Sequence, residues 1–256
     1  MIPPEIIDHV LGFLQWDRIT LKFCAQAHPT LSKLVERHIY VHLTVHNFAS
    51  SHPGTYHSSD LFRLISQNPE ISKSVRSFRM DLLIPSFFQP FYTDDNYEEL
   101  ALILPLLTQL EAVFLSASGA GGSCGWYDLR ESFRIAFINC LQLPSLTDVK
   151  LSFLKNFPLS ILDLSRSLKR LSLSGTFDYS SGSSQVYPSL DSLLLNGCLS
   201  MDAIISWLRS RSLLSLEYES DFRPLSRLLE VSADSLTTLK IHVPHECMFH
   251  SLRPIN

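Results

Sequence analysis

Two groups of histidines in this chain have a spacing that raises the question of metal binding. The first is the segment His245-Glu246-Cys247-Met248-Phe249-His250, which comes close to the His-Glu-x-x-His spacing that binds zinc on one face of a helix. Here the two histidines are five residues apart instead of four, so a helix would turn them to different faces. Metal binding by His245, Cys247 and His250 is the alternative, and a C-terminal surface loop is the interpretation that we favour.

His38, His42 and His46 form the second group, spaced four residues apart. On a helix they would align and could bind a metal. The alternation of apolar and polar residues over 39–45 instead favours a strand, where His42 and His46 share the polar face without being nearest neighbours. We therefore predict no metal site and no cofactor.

A glycine-rich segment, residues 119–125, lies between a predicted strand and a predicted helix, which is the context of a nucleotide-binding loop. The G-x-G-x-x-G pattern would need glycine where Cys124 stands, and no Lys-Ser/Thr pair follows for a phosphate loop. We therefore predict a flexible connection there. Cys124 could be a reactive thiol, but no base is evident beside it, and no Gly-x-Ser-x-Gly motif occurs. We predict no catalytic residues and no enzyme, and an enzyme that uses this loop is the weaker alternative.

Composition and charge narrow the classes of partner. The 256 residues are 45% apolar and 18% charged, and the net charge is −4, which argues against a nucleic-acid-binding surface. Five scattered cysteines without a C-x-x-C pair, and an N-terminus without a basic signal region, favour a cytoplasmic or nuclear location. The most apolar stretch, residues 100–115, is interrupted and too short to span a bilayer, so we predict no membrane partner.

The elements that would position a site are indicated by a recurring block, Leu-x-x-Leu-x-Leu or a close apolar variant. Its five clear copies start at Leu146, Leu168, Leu190, Leu213 and Leu236. These steps of 22, 22, 23 and 23 residues are typical of leucine-rich repeats. Alternate residues of such a block place apolar side chains on one face of a short strand, and neighbouring strands must stack to bury that face.

Two less regular blocks precede these copies, starting at Val75 and Leu110, at steps of 35 and 36 residues. Helical patterns occur between blocks, over residues 97–107, 128–141 and 200–209. The pattern predicts an α/β protein in which residues 60–256 form an irregular leucine-rich-repeat solenoid. We expect a right-handed βα coil with a parallel sheet of about seven strands.

The first 46 residues predict a separate helical module. Prolines at positions 3 and 4 suit the first turn of a helix, and Asp17 is a candidate N-cap for a second helix. Pro29 can end that second helix and start a third. Residues 47–59 are polar and loop-like, and we assign them to a linker between the module and the repeats.

The N-terminal residues also carry a family pattern. A Leu-Pro-x-Glu-Ile opening stands here as Ile2-Pro3-Pro4-Glu5-Ile6, and the next apolar positions of the pattern hold Val10, Phe13 and Leu14. The basic and apolar residues that end the pattern are Arg37-His38-Ile39-Tyr40. On these residues the module resembles an F-box. With its repeats, the whole chain resembles the F-box-like proteins with C-terminal leucine-rich repeats that are abundant in fungi.

This resemblance implies a substrate-recognition subunit of a cullin-based (SCF-type) ubiquitin ligase. In that family the F-box binds the adaptor subunit, the repeats bind a protein substrate, and other subunits transfer ubiquitin. The adaptor-binding residues that the resemblance implies are Ile2, Pro3, Glu5, Ile6, Val10 and Leu14.

One family position differs. The family places Val-Cys-Arg-x-Trp near the end of its second helix, and residues 26–30 read Gln-Ala-His-Pro-Thr here. The alternative function is therefore a leucine-rich-repeat scaffold that binds proteins and is not coupled to a ubiquitin ligase.

Residues that alternate with the inward leucines are predicted to form a concave face that binds the substrate. Phe114 and Leu194 would be apolar anchors among mixed charges, as in protein-recognition surfaces. The charge runs from basic to acidic across the repeats, which would orient a partner. A solvated sheet face is the simpler alternative for each residue taken singly. The predicted substrate-binding residues are Arg79, Phe114, Lys150, Arg170, Leu194, Asn196, Glu217, Glu219 and Lys240, with Asp81 and His242 on the same face.

Overall fold

The computed structural model describes residues 3–15, 17–46, 55–84, 95–119, 122–179, 189–209, 211–219 and 225–242. Within these ranges the chain is a mixed α/β protein with nine α-helices and one ten-stranded sheet. The predicted α/β class and the predicted parallel sheet are confirmed. The predicted count of about seven strands is wrong, because three strands lie outside the leucine blocks from which the count was made.

The N-terminal part contains three α-helices, α1 (Pro4–Phe13), α2 (Arg18–Ala27) and α3 (Pro29–Ile39). Asp17 is the N-cap of α2, as predicted, since its side chain accepts a hydrogen bond from the backbone N–H of Thr20 at 3.0 Å. This bond, together with one from the Thr20 hydroxyl, lowers the pKa of the Asp17 carboxyl. The three helices share a small core of their own, made by Leu11, Leu21 and Val35.

Most strands that are neighbours in the sheet are also consecutive in the chain. From one edge to the other the order is β10-β9-β8-β7-β6-β5-β4-β3-β1-β2, with a further pairing of β4 with β6. All pairs are parallel except the hairpin of β4 and β5. The strands are β1 (His42–His46), β2 (Thr55–His57), β3 (Ser77–Ile84), β4 (Ala112–Gly119), β5 (Gly122–Gly125), β6 (Asp148–Pro158), β7 (Arg170–Asp178), β8 (Leu190–Asn196), β9 (Leu213–Glu219) and β10 (Thr238–His242).

The spacing of the leucine blocks in the sequence equals the sequence separation of register partners in the sheet. Asp148 pairs with Arg170, which pairs with Ser192 on the next strand. Ser192 pairs in turn with Ser215, and Ser215 with Thr238. These partners are 22, 22, 23 and 23 residues apart, as are the starts of the blocks. Equivalent positions of successive blocks therefore lie side by side across the sheet.

The three additional strands are β1, β2 and β5. The strand β1, which the sequence pattern assigns to the N-terminal module, hydrogen-bonds to β3, with Leu43 opposite Phe78. The prediction of a flexible connection over residues 119–125 is wrong for Gly122–Gly125. These residues form β5, which pairs antiparallel with β4 and parallel with β6. β5 contains no leucine, so a leucine count does not detect it.

The helices cover one face of the sheet. Buried side chains of the strands, such as Val113 and Leu151, belong to one core cluster with Phe137 and Ile204 of the helices. The predicted helical segments are confirmed at Asp95–Ile103, Glu131–Leu141 and Met201–Leu208. The α-helices after β2 are α4 (Ser58–Gln67), α5 (Glu70–Ser74), α6 (Asp95–Ile103), α7 (Glu131–Leu141), α8 (Met201–Leu208) and α9 (Leu225–Ser232), and short 3-10 helices lie at Leu104–Leu106, Trp126–Asp128 and Leu159–Leu164.

Candidate functional site

The face of the sheet opposite the helices, here called the open face, carries one continuous row of side chains. Each residue of the row is the register partner of the next, and all of them are exposed or half-buried. At about 4.8 Å between strands, the row is about 30 Å long. Its members, from β3 to β10, are Arg79, Phe114, Lys150, Ser172, Leu194, Glu217 and Lys240.

The other predicted substrate-binding residues lie on the two rows beside this one. Arg170 lies two residues before Ser172 on β7, and Asn196 and Glu219 are register partners two residues beyond Leu194 and Glu217. Asp81 and His242 lie on the same face, two residues beyond Arg79 on β3 and Lys240 on β10. The nine predicted residues therefore share one surface, although its length separates the basic end from the acidic end.

Both arginines of the open face are already paired with carboxylates. The Arg79 guanidinium donates through Nε to both carboxylate oxygens of Asp81, at 3.0 and 2.9 Å. Arg170 donates to the carboxylate of Asp148 on the neighbouring strand, and this hydrogen bond raises the pKa of the Arg170 guanidinium. Lys150 differs, because within the described residues it has no ion pair. It is therefore the cation at the centre of the face that is left for a ligand.

The acidic end of the face is held by two contacts between strands. The side chains of Glu217 and of His242 on β10 are in contact, with 2.9 Å between Oε1 and Nε2. The side-chain amide of Asn196 donates to Glu219 at 2.9 Å. These residues are engaged with each other across β8, β9 and β10. The two carboxylates at the acidic end are therefore engaged in contacts within the open face.

A hollow of about 330 Å³ opens beside Lys150, and we call it the β6 hollow. A second hollow of about 160 Å³ lies on its other side and shares the walls made by Phe114 and Lys150. The β6 hollow combines charged, aromatic and hydroxyl groups on adjacent strands. The side chains that line it include Arg79, Asp81, Phe114, Ser116, Lys150, Ser152 and Phe153.

Phe153 is a residue of this site that the sequence analysis missed. Ser152 is opposite Ser174 and Leu154 is opposite Gly175, so β6 holds one extra residue at this point, a β-bulge. Phe153 is that residue. Its φ of 59° lies in the left-handed region, which a residue with a bulky side chain rarely adopts, and Phe153 is 51% exposed. The one available signal was Gly175, a glycine in the middle of a strand pattern.

A second surface with unusual exposure lies on the N-terminal helices. Five large apolar side chains of α1 and α2 are 53% to 75% exposed, and they are Ile6, Val10, Phe13, Ile19 and Phe23. Their spacing places three on one side of α1 and two on one side of α2. We call this set the helical apolar patch.

Of the predicted adaptor-binding residues, Ile6 and Val10 belong to the helical apolar patch. Pro3 and Glu5 are exposed beside it, and Leu14 is half-buried against the small helical core. Ile2 lies outside the described residues. The patch members Phe13, Ile19 and Phe23 were not predicted as site residues. The i, i+4 spacing of Ile19 and Phe23 was the signal available for them.

The described candidate residues for catalysis and metal binding lie on three different elements, α3, β1 and β5. Cys124 is only 5% exposed, and burial raises the pKa of its thiol to about 12, so the thiol is protonated near neutral pH. His42 and His46 lie on β1, whereas His38 lies on α3. The set His245, Cys247 and His250 lies outside the described residues. Within the described ranges, no three His, Cys, Asp or Glu side chains are grouped so that they could hold a metal ion.

Comparisons with known proteins do not identify a family for this chain. No family model matches it, and neither a search of curated proteins nor a search of solved structures found a match. Among the described residues, none of the helices combines the length and the apolar character needed to cross a bilayer. The open face and the helical apolar patch are therefore the features from which a function can be inferred.

Proposed function

We propose that this chain is the substrate-recognition subunit of an SCF-type ubiquitin ligase, with no catalytic step of its own. The observation that carries the proposal is the helical apolar patch, which exposes five large apolar side chains on a module of about forty residues. Such a patch costs free energy in water until a partner covers it. Full burial of one such side chain is worth about 1.5–3 kcal/mol. The partner that we propose for it is the adaptor subunit of the ligase.

The sheet supplies the second half of the proposal. We propose that the strands, paired at the spacing of the sequence repeat, form a leucine-rich-repeat solenoid whose open face holds a protein substrate. A surface about 30 Å long with apolar side chains among paired charges suits a protein rather than a small molecule. Binding adaptor and substrate on one chain raises the effective concentration of the substrate at the ligase, and other subunits transfer the ubiquitin.

The experiment that tests the ligase assignment is co-purification of the full chain with the adaptor. We expect the intact protein to bind an adaptor paralogue and Ile6→Glu to lose that binding, because it places a charge inside the patch. Leu199→Glu is the matched control, since Leu199 is 83% exposed and lies after β8, far along the chain from the patch. Failure of the intact protein to bind any adaptor paralogue would end the ligase proposal.

A scaffold without coupling to a ligase is the second candidate function, and one observation favours it. His28 and Pro29, which stand in the region of the family's tryptophan motif, instead begin α3, and the His28 ring accepts a hydrogen bond from the Thr30 N–H at 3.2 Å. Binding of client proteins without binding of an adaptor would select this function. For both functions we propose a cytoplasmic or nuclear location.

A further inference from the structure

We propose that the β6 hollow binds an acidic side chain together with a neighbouring large apolar side chain from one segment of the client protein. The carboxylate would meet Lys150, and the apolar group would pack against Phe114 and Phe153. This inference rests on the part of the proposed function that assigns a client protein to the open face. It adds the chemical class of the segment that is recognised.

The charge of the hollow indicates a singly charged anion. Asp81 offsets the charge of Arg79 through two hydrogen bonds, and Asp148 in the same way engages Arg170 on the neighbouring strands. Lys150 remains as the one cation of the hollow without an ion pair among the described residues. The net charge that the walls present to a ligand is therefore close to that of one ammonium group. One carboxylate balances it.

Two side chains that can donate hydrogen bonds, Ser116 and Ser152, line the same hollow as Lys150. Ser116 and Ser152 are register partners on β4 and β6, so their Cα atoms are about 4.8 Å apart across the hollow. A hydroxyl group can rotate its proton toward an acceptor, and a carboxylate has about four lone-pair positions to offer. Two hydroxyls beside one ammonium group fit a planar carboxylate well.

Phe114 and Phe153, which line the hollow, are the reason to propose an apolar side chain in the bound segment. Phe114 lies beside Lys150 in the central row, and the bulge places the Phe153 ring on the same hollow. Phe153 keeps a left-handed φ of 59° that disfavours a bulky residue, and its ring is not buried in the core to compensate for this. Strained residues of this kind are concentrated at binding sites. An apolar side chain between the two rings would bury both of them.

The same observations disfavour a phosphorylated segment. A phosphoryl group carries nearly two negative charges at neutral pH. The hollow offers one unpaired cation, and the largely buried carboxylate of Asp81 in its wall repels additional negative charge. A volume of about 330 Å³ is at the lower end of ligand pockets, which suits two side chains rather than a cofactor.

The test is an NMR titration of the full chain with short blocked peptides that differ at one position. The probes carry Glu-Leu or Leu-Glu between Gly-Ser flanks, and the comparison peptides replace Glu by Gln, Lys or phosphoserine. We expect saturable binding of a Glu peptide, about tenfold weaker binding of its Gln and phosphoserine counterparts, and none of the Lys peptide. Equal binding of the Gln and Glu peptides, tighter binding of the phosphoserine peptide, or no saturable binding up to millimolar peptide would overturn the proposal.

Variants locate the binding within the sheet. Lys150→Glu should weaken the Glu peptide about tenfold or more, and Phe153→Asn should weaken it while keeping a residue type that tolerates the left-handed φ. Lys33→Glu is the matched control, because it makes the same charge change on the exposed surface of α3 and Lys33 does not line the β6 hollow. Salt screens a surface charge beyond about 8 Å, so the affinity should stay within about twofold. Equal losses for Lys150→Glu and Lys33→Glu would show a general charge effect and refute the site.

Adaptor co-purification keeps this inference separable from the ligase assignment, since none of these residues lies on the helical apolar patch. Adaptor binding without binding of the Glu peptide refutes the inference alone. Binding of the Glu peptide with the expected variant effects, but without an adaptor, supports the inference and moves the chain to the scaffold function.

Discussion

A Cβ atom on Gly175 would lie 2.1 Å from the carbonyl oxygen of Leu154 on the neighbouring strand. The two residues are register partners at the bulge of β6. Gly175 also has a φ of +135°, which residues with a side chain rarely adopt. The absence of a side chain at Gly175 therefore lets β7 follow the bulge, and the bulge in turn places the Phe153 ring on the open face.

Replacement of this glycine should be costly. We expect Gly175→Ala to lower the free energy of unfolding by about 2–3 kcal/mol, because the new methyl group meets backbone and the backbone angle becomes strained. Urea denaturation followed by circular dichroism measures this loss. The variant should also move Phe153, so it should weaken binding at the β6 hollow more than its stability loss alone explains.

Gly197→Ala separates the two causes. Gly197 has a φ of +59°, and a Cβ there would meet nothing within 4 Å. Its replacement carries only the conformational strain, about 1 kcal/mol. Equal losses for the two variants would contradict a specific role for the Leu154 carbonyl group.

The inward leucines of the central strands should each matter more than those at the edge. Leu151 is fully buried between Leu115 and Leu173 on the neighbouring strands, so Leu151→Ala should cost about 2–5 kcal/mol. Leu239 on the last strand, β10, is 40% exposed, and Leu239→Ala should cost less than about 1 kcal/mol. Chemical denaturation of both variants checks the contrast. A larger loss for Leu239 would mean that β10 is covered in solution.

The leucine blocks predicted the sheet well for a physical reason. Each block buries its apolar face against its neighbours, so the period of the sequence has to equal the offset between register partners, and Asp148 and Arg170 pair 22 residues apart. Strands without leucines gave no such signal. β5 consists of glycine, serine and cysteine, and its pairing depends on a tight hairpin with β4 rather than on a repeated apolar face.

The sites were predicted less completely than the fold. Alternation along a strand finds Lys150 and Phe114, but it fails at Phe153, where one extra residue shifts the side chain to the other face. On the helices, the pattern shows that Phe13 and Phe23 are apolar without showing which side α3 covers. Exposure depends on that packing, which is tertiary information.

A buried ion pair joins Asp163 of the 3-10 helix Leu159–Leu164 to Arg211, which follows α8. Arg211 donates to the Asp163 carboxylate at 2.8 Å, and the indole N–H of Trp207 donates to the same oxygen at 2.8 Å. The Arg211 side chain is fully buried, and its guanidinium lies 4.3 Å from the Trp207 ring centroid. We expect Asp163→Ala to lower the free energy of unfolding by about 1.5–3 kcal/mol, since it removes a largely buried carboxylate that accepts hydrogen bonds from Arg211 and Trp207. Urea denaturation measures the loss.

An exposed ion pair provides the comparison for Asp163. Glu70 and Lys73 on α5 form a pair at 2.7 Å with both side chains largely in solvent. Glu70→Ala should change stability by less than about 0.5 kcal/mol, because water screens the interaction. If the two substitutions cost the same, the Asp163 pair is not buried in solution.

Cys140 should make the stability of the protein depend on alkaline pH. Burial raises the pKa of its thiol from 9.0 to about 12. Between these values the unfolded chain loses the thiol proton and the folded chain keeps it, so the stabilising contribution is complete below pH 9 and is lost as the pH rises toward 12. At pH 10 the loss from this thiol is on the order of 1 kcal/mol.

Comparison with Cys140→Ala isolates this thiol from the lysines and tyrosines that also titrate above pH 9, because those groups act on both proteins alike. The destabilisation caused by Cys140→Ala should be smaller at pH 10 than at pH 7.5, by on the order of 1 kcal/mol. Urea denaturation of both proteins at the two pH values measures the difference. Parallel declines for the wild-type chain and the variant would show that the Cys140 thiol ionises as easily in the folded protein as in the unfolded chain, and that the core around α7 admits the charge.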